Sequence, residues 1–241
     1  MKKILLAFLF ASSVISLAQA QESDLLSMLG EEETTDYANA AFKTNRVINL
    51  HSLENTAAGV FDFKISHRFG FVSGGVQELF GLDASTIRIG GDYGITNRLM
   101  VGFGRSSYEK TYDVFAKYKL LRQSSGKKNM PITAAVFASA AVKTVPFSNQ
   151  ERENYFSSRL YYTWQVILGR KFSEGFSLQL SPTLVHRNLT ATKAEKNDVY
   201  AIAGAGRIKL SKRIALNAEY IYVLPDQIAS RYRNSLSLGF D

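Results

Sequence analysis

From Gly59 to the last residue the chain is built on a two-residue period of apolar and polar side chains. In the run Thr86 to Tyr93, Ile87, Ile89 and Tyr93 share one face while Arg88 and Asp92 share the other, as in a pleated strand. The same alternation sets Leu99, Val101 and Phe103 against Met100, Gly102 and Gly104, and Tyr112, Val114, Ala116, Tyr118 and Leu120 against Asp113, Phe115, Lys117 and Lys119. Leu160, Tyr162, Trp164, Val166 and Leu168 oppose Arg159, Tyr161, Thr163 and Gln165. Phe176, Leu178, Leu180 and Leu184 oppose Ser177, Gln179, Ser181 and Thr183. Near the end Ile214, Leu216, Ala218, Tyr220 and Tyr222 oppose Asn217 and Glu219, and Leu236, Leu238 and Phe240 oppose Ser235, Ser237 and Gly239. Soluble strands typically run about five or six residues, whereas tilted strands cross a bilayer in about nine to eleven; these runs are of the second kind.

One face of each run is aliphatic or aromatic and the other small, hydroxylic or charged, which fits lipid outside and a wet interior. A soluble periplasmic β-protein would alternate too, but with its polar face outward. The connections differ by end: Thr96-Asn97, Lys171 to Gly175 and Ser211-Lys212 are tight turns, while Gly70 to Asp83, Val145 to Ser157, Leu189 to Asn197 and Pro225 to Tyr232 are long. Barrels of the outer membrane turn tightly on the periplasmic side and carry long loops outside, so Gly59 to Phe69 should run outward and Ala84 to Gly94 back. In that phase Tyr112, Tyr162, Tyr200 and Tyr222 fall near outer strand ends, and Tyr93, Tyr118 and Phe176 near inner ends. These positions form two aromatic belts at the interfaces. The expected fold is all-β: an antiparallel up-and-down transmembrane barrel with about ten spanning strands, closed because unpaired backbone in lipid costs several kcal/mol per group. Gly239-Phe240-Asp241 runs one residue past an aromatic with no clear stop, which reads as a chain whose strands continue.

Arg46 to His51 also reads as a short strand, but a spanning strand there would put the long loop at Gly70 to Asp83 on the periplasmic side. Residues 21–54 are therefore expected to stay in the periplasm or enter the lumen, with Leu25, Leu26 and Leu29 along one side of a short helix and an acidic linker at Glu31 to Asp36, and residues 55–241 to form the barrel. Before them, Lys2 and Lys3, the apolar run Ile4 to Leu17 and Ala18-Gln19-Ala20 make a secretory signal peptide over residues 1–20, too short in its apolar core to span as a helix. No later apolar run is long enough for a membrane helix. The expected location is the outer membrane of a Gram-negative cell, with membrane lipid and the barrel-insertion machinery as partners and no nucleic acid.

With no cysteine, the chain has no disulfides, thiol catalysis or Cys-containing zinc sites. The net charge is +8, and the chain remains basic without the signal lysines. By parity Lys64, Arg68, Arg88, Lys117, Lys119, Arg159, Arg207 and Lys209 point inward with Asp62, Asp92, Asp113 and Glu219. A charge facing lipid at mid-depth costs about 2 to 4 kcal/mol, so an interior position is required whatever the function. Two readings of this lining stand: structural ion pairs across the lumen, or a basic surplus that favours anions in a narrow pore. His51, His67 and His186 have no metal-ligand spacing, and Gly102-Phe103-Gly104 and Gly204-Ala205-Gly206 lack the third glycine and helix of a dinucleotide site. These glycines read as strand positions that ease curvature. No cofactor is expected and the chain reads as a non-enzyme: a porin-like path for small solutes, or a scaffold. The alternative is an outer-membrane enzyme acting on lipid or peptide, for which His186 with Ser181, on one strand, is a candidate base and nucleophile, the other reading of the two being interior or rim polar residues.

Five segments carry a resemblance: Phe42 to Asn49, Asp62 to Gly70, Gly104 to Asp113, Tyr155 to Leu160 and Asn234 to Asp241. With these the chain resembles, over nearly its whole mature length, the Bacteroidota family of membrane-bound β-barrels catalogued as a domain of unknown function. The resemblance implies an outer-membrane barrel and supplies no assigned activity or site residues. It also implies a further hairpin and a last strand ending in an aromatic residue beyond the equivalent of Asp241, and so about twelve strands.

Overall fold

The computed structural model describes residues 34–147, 149–151, 153–190, 192, 195–229 and 232–241. The expected signal peptide and the helix with Leu25, Leu26 and Leu29 lie outside them. Twelve strands follow in chain order: β1 Thr35–Tyr37, β2 Phe61–Arg68, β3 Thr86–Gly94, β4 Leu99–Ser106, β5 Thr111–Leu121, β6 Ser124–Gly126, β7 Thr133–Lys143, β8 Leu160–Ser173, β9 Phe176–Arg187, β10 Asp198–Lys209, β11 Ala215–Val223 and β12 Ser235–Phe240. Ten of them form one antiparallel sheet in the order β12-β11-β10-β9-β8-β7-β5-β4-β3-β2, each long strand paired with its neighbours in sequence. Such an up-and-down meander needs only local connections, which is what the run of alternating segments predicts. None of the described helices is long and apolar enough to cross a membrane.

The alternation decides which way each residue faces. Along β9 the inward Ser177, Gln179 and Ser181 are buried while Leu178 and Leu180 stay exposed, and along β11 Asn217 and Glu219 are buried while Tyr220 and Tyr222 are exposed. The apolar face is thus the outer one: Phe63, Phe103, Val114, Trp164, Leu180, Ile202 and Leu238 all stand open. In water that surface would be a large liability; in hydrocarbon it is the favourable side.

The sheet wraps around a segment of its own chain. Residues 38–57 enter from the end with the tight turns, reverse at Val47–Leu50, where Arg46 and His51 make an antiparallel bridge, and return to the same end, where Ala58 bridges Gly94. The short strand expected at Arg46 to His51 is this bridge, a hairpin rather than a spanning element. It touches β3 through Asp92, β5 through Lys117, β9 through Gln179 and β11 through Glu219, while Phe42 and Leu53 pack with Met100, Phe115, Phe137 and Ile167 from β4, β5, β7 and β8. A single hairpin meets strands so far apart in the sheet because the sheet curls around it.

Four expectations change. Of the acidic linker expected at Glu31 to Asp36, residues 31–33 lie outside the described residues, and Thr35 and Asp36 belong to β1, which pairs with β6 because the β5–β7 connection is long enough to offer an edge at the turn end. For that reason, and because 107–110 is a short connection at the opposite end, the alternation of short and long connections is not strict. The ladder expected to close the sheet between β12 and β2 is not formed among the described residues: β12 pairs only with β11 and β2 only with β3. Glycines do more than ease curvature: a Cβ on Gly102 would collide with the Phe115 ring and the Asp92 carboxylate, and one on Gly104 with the Arg88 guanidinium, whereas Gly204 faces open space.

Lipid against the outer face makes a directional prediction. Val166→Arg, outward on β8, is expected to destabilise the fold in liposomes by about 2 to 4 kcal/mol, against less than about 1 kcal/mol for outward Leu210→Arg just past the end of β10. Urea unfolding of the refolded chain reads the difference, and equal costs at both depths would contradict the lipid-facing assignment.

Candidate functional site

The inward charges and the hairpin form one polar system. Lys64 on β2 lies 2.8 Å from Asp92 on β3 and 3.0 Å from Asp62. The Asn45 amide of the hairpin donates to the same Asp92 at 2.9 Å, and Lys64 donates to the Asn45 carbonyl oxygen. Lys117 on β5 is wholly buried, and among the described residues no carboxylate lies within ion-pair distance of it; its ammonium donates to the Ser52 carbonyl at 2.9 Å and to that of Glu54. A buried ammonium needs such partners, because an unpaired charge away from water costs several kcal/mol. Glu54 in turn accepts the Ala41 amide at 2.9 Å and faces Lys119 at 3.8 Å. The two arms of the hairpin are thereby tied to each other and to the wall.

The tip is held by Glu219. This carboxylate, 2 % exposed, accepts the backbone amides of Ile48, Asn49 and Leu50 at 3.3, 3.0 and 3.1 Å, and the Asn49 side-chain amide at 2.7 Å. Successive amides around a tight turn point the same way, so a single carboxylate collects them all. Gln179, two strands away on β9, donates to the His51 carbonyl at 2.7 Å.

Above the hairpin, toward the loops, lies a cavity of about 770 Å³. Arg46 and His51 form part of its floor, Arg68 and Arg88 part of its wall, with Asp113 beside Arg88. Arg88 donates to Asp113 through Nε at 2.9 Å and through a second, Nη contact. Arg46 sits 5.1 Å over the Phe115 ring and against the His51 imidazole, whose ring packs 4.2 Å from that of Phe137. The hairpin is not one of the spanning strands, and its titration is set by its surroundings. Burial, then the nearby Arg46 and Lys117 charges, hold His51 well below its ordinary range, so it is a neutral acceptor. Burial lowers Arg46 to about 10, leaving it charged at neutral pH.

The residues singled out from the sequence divide by position. Lys64, Arg88, Asp92, Lys117 and Glu219 gather around the hairpin or the cavity, and Arg68 lines the cavity rim. Arg207 lies inside but toward the turn end, 3.2 Å from Asp241. Arg159 sits in the 144–159 connection, donating to the Lys143 and Val145 carbonyls and stacking 4.0 Å over Phe147, because a 3-10 turn at Phe156–Arg159 takes it out of strand parity. The belt tyrosines are outward: Tyr112, Tyr200 and Tyr222 toward the loops, Tyr93 and Tyr118 toward the turns, and Tyr162 beside Trp164 at 5.8 Å. Ser181 is buried inside, whereas His186 faces out and contacts Asp198 at 2.7 Å. Residues five apart on a strand point to opposite faces, so these two share no site. Strand parity could not supply Asn45, Arg46, Asn49 and His51; the only signal for them was the out-of-phase segment Arg46 to His51.

The Glu219 contact generates a prediction. Glu219→Ala removes four donors' acceptor at once and is expected to free the hairpin tip, making the Arg46–Val47 bond cleavable by trypsin at least about tenfold faster while the barrel keeps its heat-dependent gel mobility. Unchanged cleavage at that bond would show that the tip is held by other means.

No curated protein and no solved structure matches the chain. The model of a family described as membrane bound beta barrel domain (DUF5777) matches residues 42–241, a span that begins at Phe42 and so takes in the hairpin as well as the ten-stranded sheet. On that match, and with a sheet whose apolar face is outermost around a polar filled interior, the chain belongs to the DUF5777 family of membrane-bound β-barrels.

Proposed function

We propose that this is an outer-membrane barrel of porin-like character whose path for small solutes is gated by its own N-terminal hairpin. What carries this reading is the pairing of a polar chamber on the loop side with a hairpin beneath it that is held largely by hydrogen bonds to Asp92, Lys117, Gln179 and Glu219. Hydrogen bonds of this kind exchange with water at a modest net cost of about 1 kcal/mol each, more where a charge takes part, so water entering the lumen can take over the polar contacts between hairpin and wall. A scaffold has no need of a polar chamber behind its loops. Both ends of the hairpin lie at the turn end, which would be the periplasmic side, so solute passing the tip would enter the periplasm. The placement of the barrel in the outer rather than another membrane rests on the signal-like start of the sequence and on spanning by strands alone. An enzyme acting on lipid or peptide is the weaker reading, since the one candidate pair is split between the two faces of β9.

Planar-bilayer recordings test the gate. The full chain is expected to show no lasting open state, and a chain in which residues 40–56 are replaced by a short Gly-Ser linker to show steady conductance. Equal steady conductance in both would refute gating by the hairpin, and silence in both would favour the scaffold.

A further inference from the structure

The chamber above the hairpin is lined by unequal charge. Among its described lining residues Arg46, Arg68 and Arg88 are cationic and Asp113 alone is acidic, and Asp113 is already engaged by Arg88. No carboxylate lies within ion-pair distance of Arg46 or Arg68 among the described residues. Arg46 instead rests on the Phe115 ring and the His51 imidazole. Lys64, the next cation down, is spent on Asp62 and Asp92 and does not face the chamber. The lining adds the hydroxyls of Ser66, Ser106 and Ser139.

We infer that this chamber binds a small solute bearing oxyanion groups, gripped between Arg46 of the hairpin and Arg68 of the wall, with Arg88 alongside. The inference deepens the gated-passage reading, on which it rests, by naming the solute class. Guanidinium forks match carboxylate and phosphate oxygens in pairs, and hydroxyl donors complete the oxygens the arginines leave open. A recess with low-dielectric walls strengthens that attraction over what an open surface would give. A volume of about 770 Å³ lies within the usual range for small-molecule sites, well beyond a single inorganic ion. Because Arg46 belongs to the hairpin and Arg68 to β2, one ligand contacts the plug and the wall at once.

Calorimetric titration of the refolded full chain with citrate, with inorganic phosphate as a second probe and choline as the cationic control, all at matched ionic strength, tests the site. One saturable citrate site is expected, with no choline site. Arg68→Gln and Arg46→Gln should each weaken citrate at least about tenfold, and Arg213→Gln, at the turn end, should leave it unchanged. Heat-dependent gel mobility verifies folding of each variant, and Arg68, exposed at the sheet edge, is replaceable without disturbing the core even if Arg46→Gln fails to fold. Absence of saturable binding of either anion, retention of citrate affinity in Arg68→Gln, or an equal loss in Arg213→Gln would overturn the proposal. The two readings fail separately: a full chain that conducts freely yet binds citrate removes the gate and keeps the site, while a closed chain that binds neither anion removes the site alone.

Discussion

A charged side chain at bilayer depth has to turn away from hydrocarbon, and once turned inward it has to find a partner. That requirement organises this molecule. The outer face of every long strand is apolar, so its charges are forced to one side, where they would crowd a narrow interior. The hairpin at 38–57 resolves the crowding. It carries backbone carbonyls to Lys117, an amide to Asp92 and a row of amides to Glu219, so three of the most deeply buried charges on the wall are satisfied by the plug. Wall and plug therefore depend on each other: the strands curl around the hairpin, and the hairpin is held in place by what the strands point at it.

The interior is uneven along its axis. Below the hairpin tip it combines a small apolar cluster around Phe42 and Leu53 with hydrogen bonds between hairpin and wall. Above it the wall is polar and the positive charge is incompletely matched. The hairpin fills the lower part and leaves the upper part as a polar cavity. The family match covers the hairpin together with the sheet, which agrees with their forming one structural unit.

The two edges of the sheet set a further condition. β2 and β12 each leave one row of backbone groups without a ladder partner among the described residues, and such a row is costly in lipid. The hairpin tip approaches this region, with Asn49 3.1 Å from the Ser237 hydroxyl. The tip thus links β11 and β12 to the far side of the sheet through the lumen.

Much of this was legible from the residues. The two-residue period indicated about ten strands, their up-and-down order and the side on which Lys64, Arg88, Asp92, Lys117 and Glu219 lie, because parity in a pleated strand is a local property, though it did not mark the alanine-rich β7. Periodicity also marked Arg46 to His51 as out of phase. What it could not supply was the partner of each inward charge. Whether Glu219 meets an arginine across the lumen or the amides of residues far away in sequence depends on how the sheet curls and what fills it. Arg159, inward by parity, is drawn into a loop by a turn that no alternation announces, and the lone charge of Arg46 becomes meaningful only when the hairpin sets it beneath Arg68. Facing is decided by neighbours in the chain; pairing is decided by neighbours in space, and only the tertiary structure brings those together.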